Sequence, residues 1–150
     1  MRPDISHPPA TKTCRRGLGA LNHGALQTAL FPSATLAEFY RFALLLTGDI
    51  GGDVEKAIAP HLTAAPIRIL KVAHHGSRTS SSAALLDTWR PQIALVSAGR
   101  GNAFGHPAPD VLDRLQSIGA RVYRTDRDGE ITLTTDGTSV SVATFIGDVR

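Results

Sequence analysis

Two short polar stretches, each delivered by an apolar run, hold residues suited to metal or phosphate chemistry. Leu44-Leu45-Leu46 runs into Thr47-Gly48-Asp49, and Ile67 to Val72 leads to His74-His75-Gly76-Ser77. A carboxylate and two imidazoles can together hold a hard or borderline divalent cation. A third imidazole, His106, lies in Asn102-Ala103-Phe104-Gly105-His106-Pro107, where glycine and proline restrict the backbone and leave the ring little freedom. Ser77-Arg78-Thr79-Ser80-Ser81-Ser82 adds hydroxyls, a guanidinium and a helix start, a combination suited to phosphate. Each pattern also has an ordinary explanation. An Asp after Gly at a strand end is a common turn former or helix cap, and a serine run caps helices. Nothing converges around His7, His23 or His61, which are taken as structural or solvated.

The elements that must position these residues alternate. Leu36 to Thr47 reads as a hairpin or long strand, Asp53 to Leu62 as a helix and Ile67 to Val72 as a strand. Ser80 to Ser82 followed by Ala83, Ala84, Leu85, Leu86 and Trp89 predicts an N-capped helix closed by Pro91. Ile93 to Ser97 is a strand, and Asp110 to Ile118 is a helix with Val111, Leu112, Leu115 and Ile118 on one face and Gly119 as its stop. Arg121 to Thr125 and Glu130 to Thr134 are expected as strands around an Asp128-Gly129 turn, with a last strand from Ser139 to Phe145. Strands alternating with helices predict a layered α/β domain whose final strands pair antiparallel. Before about residue 34 prolines and glycines break every period, and only Leu18 to Leu30 suggests a short helix. Asp49, His74-His75, Asn102 to Pro107 and Thr125-Asp126 all fall at strand ends or in the loops after them, as residues along one rim of a sheet do.

Composition sets bounds. A chain of 150 residues with 42% hydrophobic and 19% charged residues fits one globular domain with a sizeable core. No run approaches the roughly 18 apolar residues of a membrane-spanning helix. The first sixteen residues lack the apolar centre of a secretory signal, so a cytoplasmic location is the default expectation. Cys14 is a single cysteine, which excludes an intramolecular disulfide. The formal charge of +3 and pI near 9.5 are compatible with a nucleic-acid or phosphate-ester substrate without requiring one.

The stretches Leu45 to Ile50, Leu70 to Ser82, Asn102 to Pro107 and Val122 to Asp126 closely resemble the metallo-β-lactamase-like domain found C-terminally in the ComEC family of DNA-uptake competence proteins. The likeness covers about Phe39 to Phe145 and keeps the order and spacing of the motifs. It implies an α/β fold, a metallo-β-lactamase-like αββα sandwich represented mainly by its C-terminal half, and a hydrolase of the nuclease or phosphodiesterase type that uses zinc or manganese. Asp49 would bind or bridge the metals. One of His74 and His75 would be a ligand, and the other would orient the substrate or hold the first in place. His106 would contact phosphate or donate a proton, while Ser77, Arg78, Thr79, Ser80 and Asn102 would bind phosphate. The implied partners are DNA or another phosphate ester, and the N-terminal half or membrane-channel portion of a larger protein, since intact relatives are membrane-attached.

One departure from that family bears on activity. Its first half carries an H-x-H-x-D-H motif that supplies most ligands of the first metal, and this chain has none. Ile5-Ser6-His7-Pro8 resembles only the lead-in, and it continues as Pro9-Ala10-Thr11-Lys12-Thr13-Cys14, as truncation with a local frameshift, or decay of the gene, would leave it. Residues 1–34 are therefore expected to be an irregular or degraded segment and residues 35–150 a partial metallo-β-lactamase-like domain with an incomplete divalent-metal site. Such a domain is either a working hydrolase or a catalytically impaired remnant or partner-dependent fragment of one. A metal-free phosphate- or DNA-binding module is a third reading, resting on basic charge and serine-rich loops alone. A sandwich lacking half of its strands also leaves an apolar face for another chain to cover.

Overall fold

Short apolar runs separated by helical spacing give a sheet whose parallel strands are joined by helical crossovers. The computed structural model describes residues 27–31, 34–39 and 41–146. In chain order these form strands β1 (Gln27–Phe31), β2 (Ala34–Phe39) and β3 (Phe42–Leu46), helix α1 (Gly52–Ile58), β4 (Ile67–Lys71), α2 (Ala83–Trp89), β5 (Ile93–Val96), α3 (Pro109–Ser117), β6 (Arg121–Arg124), α4 (Thr125–Asp128), β7 (Ile131–Thr135) and β8 (Val140–Thr144). The first six strands make one sheet in sequence order, antiparallel from β1 to β3 and parallel from β3 to β6. Strands β7 and β8 pair antiparallel as a separate two-stranded sheet. The α/β class expected from the alternation is the class observed. No helix among the described residues is long and apolar enough to cross a membrane.

Because β3 to β6 add in one direction, right-handed crossovers put α1, α2 and α3 on one face of the sheet. Contacts between α1 and α2, and between α2 and α3, agree with that arrangement. The parallel register aligns Ala43 with Arg68, Leu45 with Leu70 and Leu70 with Ala94, and the apolar members of this set are buried under the helices. Leu45, Leu70, Val72, Val96, Leu85, Leu86, Trp89, Val111 and Leu115 form the centre of the core. The opposite face carries Phe42, Leu44 and Leu46 on β3, Ile67 and Ile69 on β4 and Ile93 and Leu95 on β5. Most of these are only half-buried, and Leu46 is 43% exposed.

Several boundaries differ from expectation for identifiable reasons. The helix expected over Asp53 to Leu62 stops at Ile58, and Ala59–His61 tightens into a 3-10 turn around Pro60, which has no N–H to continue an α-helix. Helix α2 starts as predicted: Ser82 caps it by accepting a hydrogen bond from the Leu85 amide at 3.4 Å. In α3, Pro109 stands in the first turn, Val111 and Leu115 face the core, and Gly119 follows the helix with φ of 78°. The hairpin expected around Asp128-Gly129 does not form. Strand β6 belongs to the large sheet beside β5, and the chain turns through α4, where the Asp128 carboxylate accepts the Arg124 amide at 2.7 Å.

The hairpin is instead made at the second Asp-Gly pair, Asp136-Gly137, between β7 and β8. There one Asp136 oxygen accepts from the amides and hydroxyls of Thr138 and Ser139. These bonds to the charged form hold its carboxyl far below the usual carboxylate range. Within the segment expected to be irregular, Gln27–Phe31 is a strand paired with β2, so the helix expected over Leu18 to Leu30 does not extend to its last residues. Residues 18–26 of that helix, and His7 and His23, lie outside the described residues.

Candidate functional site

The chemistry-bearing stretches lie along the C-terminal edge of the parallel strands and are laced together by hydrogen bonds. Asp49 follows β3, and the carbonyl of the preceding Gly48 accepts the His74 amide at 2.9 Å. The Thr47 hydroxyl, buried at the end of β3, donates to the Lys71 carbonyl of β4. After β4 the chain makes a tight turn, Ala73–Gly76, in which His74 and His75 both take left-handed φ, 47° and 57°. Two successive non-glycine residues in that region cost of order 1–3 kcal/mol each, and such strain clusters at functional sites. The Gly76 carbonyl then accepts the Ala108 amide at 2.9 Å, which ties the His-His-Gly turn to the Gly-His-Pro loop after β5. At the far end, the Thr125 hydroxyl donates to the Ala98 carbonyl and accepts the Ala98 amide, both at 2.8 Å.

Three imidazoles meet in the middle of this edge. The His74 ring lies edge-on to His75 at 6.4 Å and to His106 at 6.0 Å between centroids. His75 Nδ1 is 2.7 Å from the Ser97 carbonyl oxygen, which can only accept, so Nδ1 carries the proton and the neutral ring keeps its lone pair on Nε2. His106 Nδ1 is buried without a hydrogen-bond partner among the described residues. An open pocket of about 190 Å³ is lined by His75, Ala98, Gly99, Asn102, Phe104 and His106. Asp49 and His74 lie outside that lining, so the pocket gathers two of the four residues expected to share a cavity. Lys71, on the same edge as Asp49, is held below the usual lysine range by burial, and the Asp49 carboxylate partly opposes the shift.

The expected phosphate contacts divide. Arg78 is 74% exposed and reaches only a loose surface pair with Asp110 at 3.8 Å, while Thr79 is exposed and its hydroxyl lies 3.2 Å from that of Ser77. Ser80 is buried, and its hydroxyl donates to the Ser77 carbonyl at 2.8 Å. Asn102 is a staple of the loop: its amide nitrogen donates to Gly99 and His106 carbonyls at 2.9 and 2.6 Å, and its oxygen accepts the His106 amide at 2.9 Å. Ser80 and Asn102 therefore position the site, with their donors already engaged. Asp126 is likewise structural. Arg124 grips it through two bonds of 3.0 and 2.6 Å and holds its carboxyl below the usual range.

Two residues that pattern reading passed over hold the segment after the histidine turn. Glu55, 1% exposed, accepts the Ser81 and Ser82 amides at 2.8 and 2.6 Å. Arg114 grips the same segment from its carbonyl side, donating to Ser81 and Ser80 at 2.9 Å each. The signal for Glu55 was its place three residues before Ile58 and seven before Leu62, on the apolar face of α1.

A catalytic or structural zinc site takes at least three protein ligands. Among the described residues no group of three or more His, Cys, Asp or Glu stands close enough to hold a metal ion. Asp49, His74 and His75 thus do not form the implied ligand set on their own.

No protein-family model matches the chain. It is 37% identical over 87 residues to ComE operon protein 3 of Bacillus subtilis, and 38% identical over 89 residues to Recombination protein 2 of Haemophilus influenzae. A third relative is Competence protein ComA of Neisseria gonorrhoeae, 36% identical over 90 residues. Two of the relatives carry names from recombination and competence. These matches cover 58%, 59% and 59% of the chain but only 11%, 11% and 13% of the relatives, so the likeness is to a small part of much longer proteins.

Proposed function

We propose that the chain forms part of a metal-dependent phosphodiesterase site of the metallo-β-lactamase type, acting on DNA in a competence-type uptake system. The observation that carries this reading is the hydrogen-bonded edge that brings His74, His75 and His106 together beside the loop bearing Asp49. His75 keeps Nε2 open for a ligand or a proton, and Arg78, with only a loose surface partner, is available to a phosphate. A large sheet with helices on one face, an incompletely covered second face and a separate two-stranded sheet supports the partial sandwich. The likeness to Competence protein ComA of Neisseria gonorrhoeae supports the competence setting.

The partner-dependent form of this reading rests on the lack of an H-x-H-x-D-H motif in this chain. A zinc or manganese ion at Asp49 and His74 would need further ligands from outside the described residues, contributed by undescribed parts of the chain or by a larger assembly. The test is metal analysis and manganese- or zinc-dependent cleavage of single-stranded DNA, with and without an added chain carrying H-x-H-x-D-H. The chain alone should hold at most one ion weakly and cleave little, and the added chain should raise both, with Asp49→Ala removing the gain. Two tightly held ions in the chain alone would contradict the partner-dependent form, and absence of cleavage in every combination would refute the phosphodiesterase.

A further inference from the structure

Phe104 is unusual among the large apolar side chains because it is 82% exposed while its ring stacks on a residue of the candidate site. Its centroid is 5.9 Å from that of His106, with the planes 22° apart. His106 in turn lies 6.0 Å from His74, so an open aromatic surface continues into the imidazole cluster. The loop that presents it is stiffened at its base by the three hydrogen bonds of Asn102, and Phe104 also lines the pocket with His75 and His106.

A protein-docking surface needs a contiguous apolar patch, and the residues flanking Phe104 from 102 to 106 are Asn, Ala, Gly and His. One flat ring bordered by an amide, glycine and imidazoles instead suits another flat π-system. On a phosphodiester, the group of that kind is the nucleobase. Stacking on an exposed aromatic ring is tolerant of base identity, because every base has a π-face.

We propose that Phe104 stacks a nucleobase of a single-stranded nucleic acid and so holds the adjoining phosphodiester against His75 and His106. This rests on the phosphodiesterase reading above and assigns the residue that recognises the base. Duplex bases are already stacked on one another, so the contact favours unpaired strands. Phe104 is a specificity residue in this scheme, and His106 supports its ring from behind.

The test is fluorescence anisotropy with a labelled oligothymidylate and an abasic strand of the same length, using the full chain and its Phe104→Ala and Phe104→Trp variants. Because the side chain is exposed, both variants should fold, as circular dichroism would verify. The unaltered chain should bind the base-bearing strand roughly 5- to 150-fold more tightly than the abasic strand, the factor that one stacked base supplies. Phe104→Ala should abolish that preference, whereas Phe104→Trp should keep it. A preference that survives Phe104→Ala would overturn the stacking role while leaving the phosphodiesterase reading in place. Failure of the unaltered chain to bind either strand would likewise overturn the stacking role, whereas the phosphodiesterase reading stands or falls on cleavage with the added chain.

Discussion

Gly76 and Pro107 are in direct contact, and a methyl group added at Gly76 would stand 2.5 Å from the Pro107 Cβ. The His-His-Gly turn and the Gly-His-Pro loop are thus two halves of one joint, closed by the Ala108 amide on the Gly76 carbonyl. Gly76 also has φ of 82°, which any side chain would strain. Gly76→Ala should therefore destabilise the protein by about 2–4 kcal/mol, from backbone strain and overpacking together. Urea denaturation would measure it. Gly99→Ala, with open space around its Cβ, serves as a control and should stay within about 0.5 kcal/mol of the parent. Equal effects of the two substitutions would refute the joint.

The Glu55 carboxylate is the acceptor for two amides in a buried place. Glu55→Ala should cost about 2–4 kcal/mol, because two donors lose their partner at once. Urea or thermal unfolding checks this, and a loss below about 0.5 kcal/mol would show that the Ser81-Ser82 segment finds other acceptors.

Asn102→Ala removes three hydrogen bonds from the loop that carries His106. Hydrogen exchange at the His106 amide should speed up by roughly tenfold, the factor that corresponds to about 1.4 kcal/mol of lost local protection. Unchanged exchange would mean that the loop is held by its other contacts.

The Arg124 guanidinium holds the Asp126 carboxyl below its ordinary value of 3.8, chiefly through hydrogen bonding to the carboxylate. A depressed folded-state value means that the unfolded chain binds the proton more tightly, so the contribution is complete above about 3.8 and disappears as pH falls through the folded value. Asp126→Asn should lower stability by about 1 kcal/mol near neutral pH, and its difference from the parent should shrink on acidification below about pH 4. A difference that is flat from pH 7 to pH 2 would contradict the linkage.

Composition and period alone determined a good part of this protein. Leu44 to Leu46, Ile67 to Val72 and Ile93 to Val96 are short, largely apolar runs of strand length, and the intervening segments carry helical spacing. The α/β class and the placement of Asp49, His74, His75 and His106 at strand ends follow from that local pattern, because a strand leaving the core must deliver its next polar residues to the sheet edge. Tertiary structure decided the choice between equivalent local signals. Asp128-Gly129 and Asp136-Gly137 look alike as turn formers, yet only the second closes a hairpin, since pairing with β5 takes β6 into the large sheet. Asn102 and Ser80 have the chemistry of phosphate contacts, but the way their loops fold back brings carbonyls three or four residues away along the chain onto their donors. The necessity of Gly76, the clasp of Glu55 and Arg114 on Ser81, and the exposure of Phe104 depend on what lies across the fold. Such contacts are set by the packing of distant segments, which the order of residues along the chain does not display.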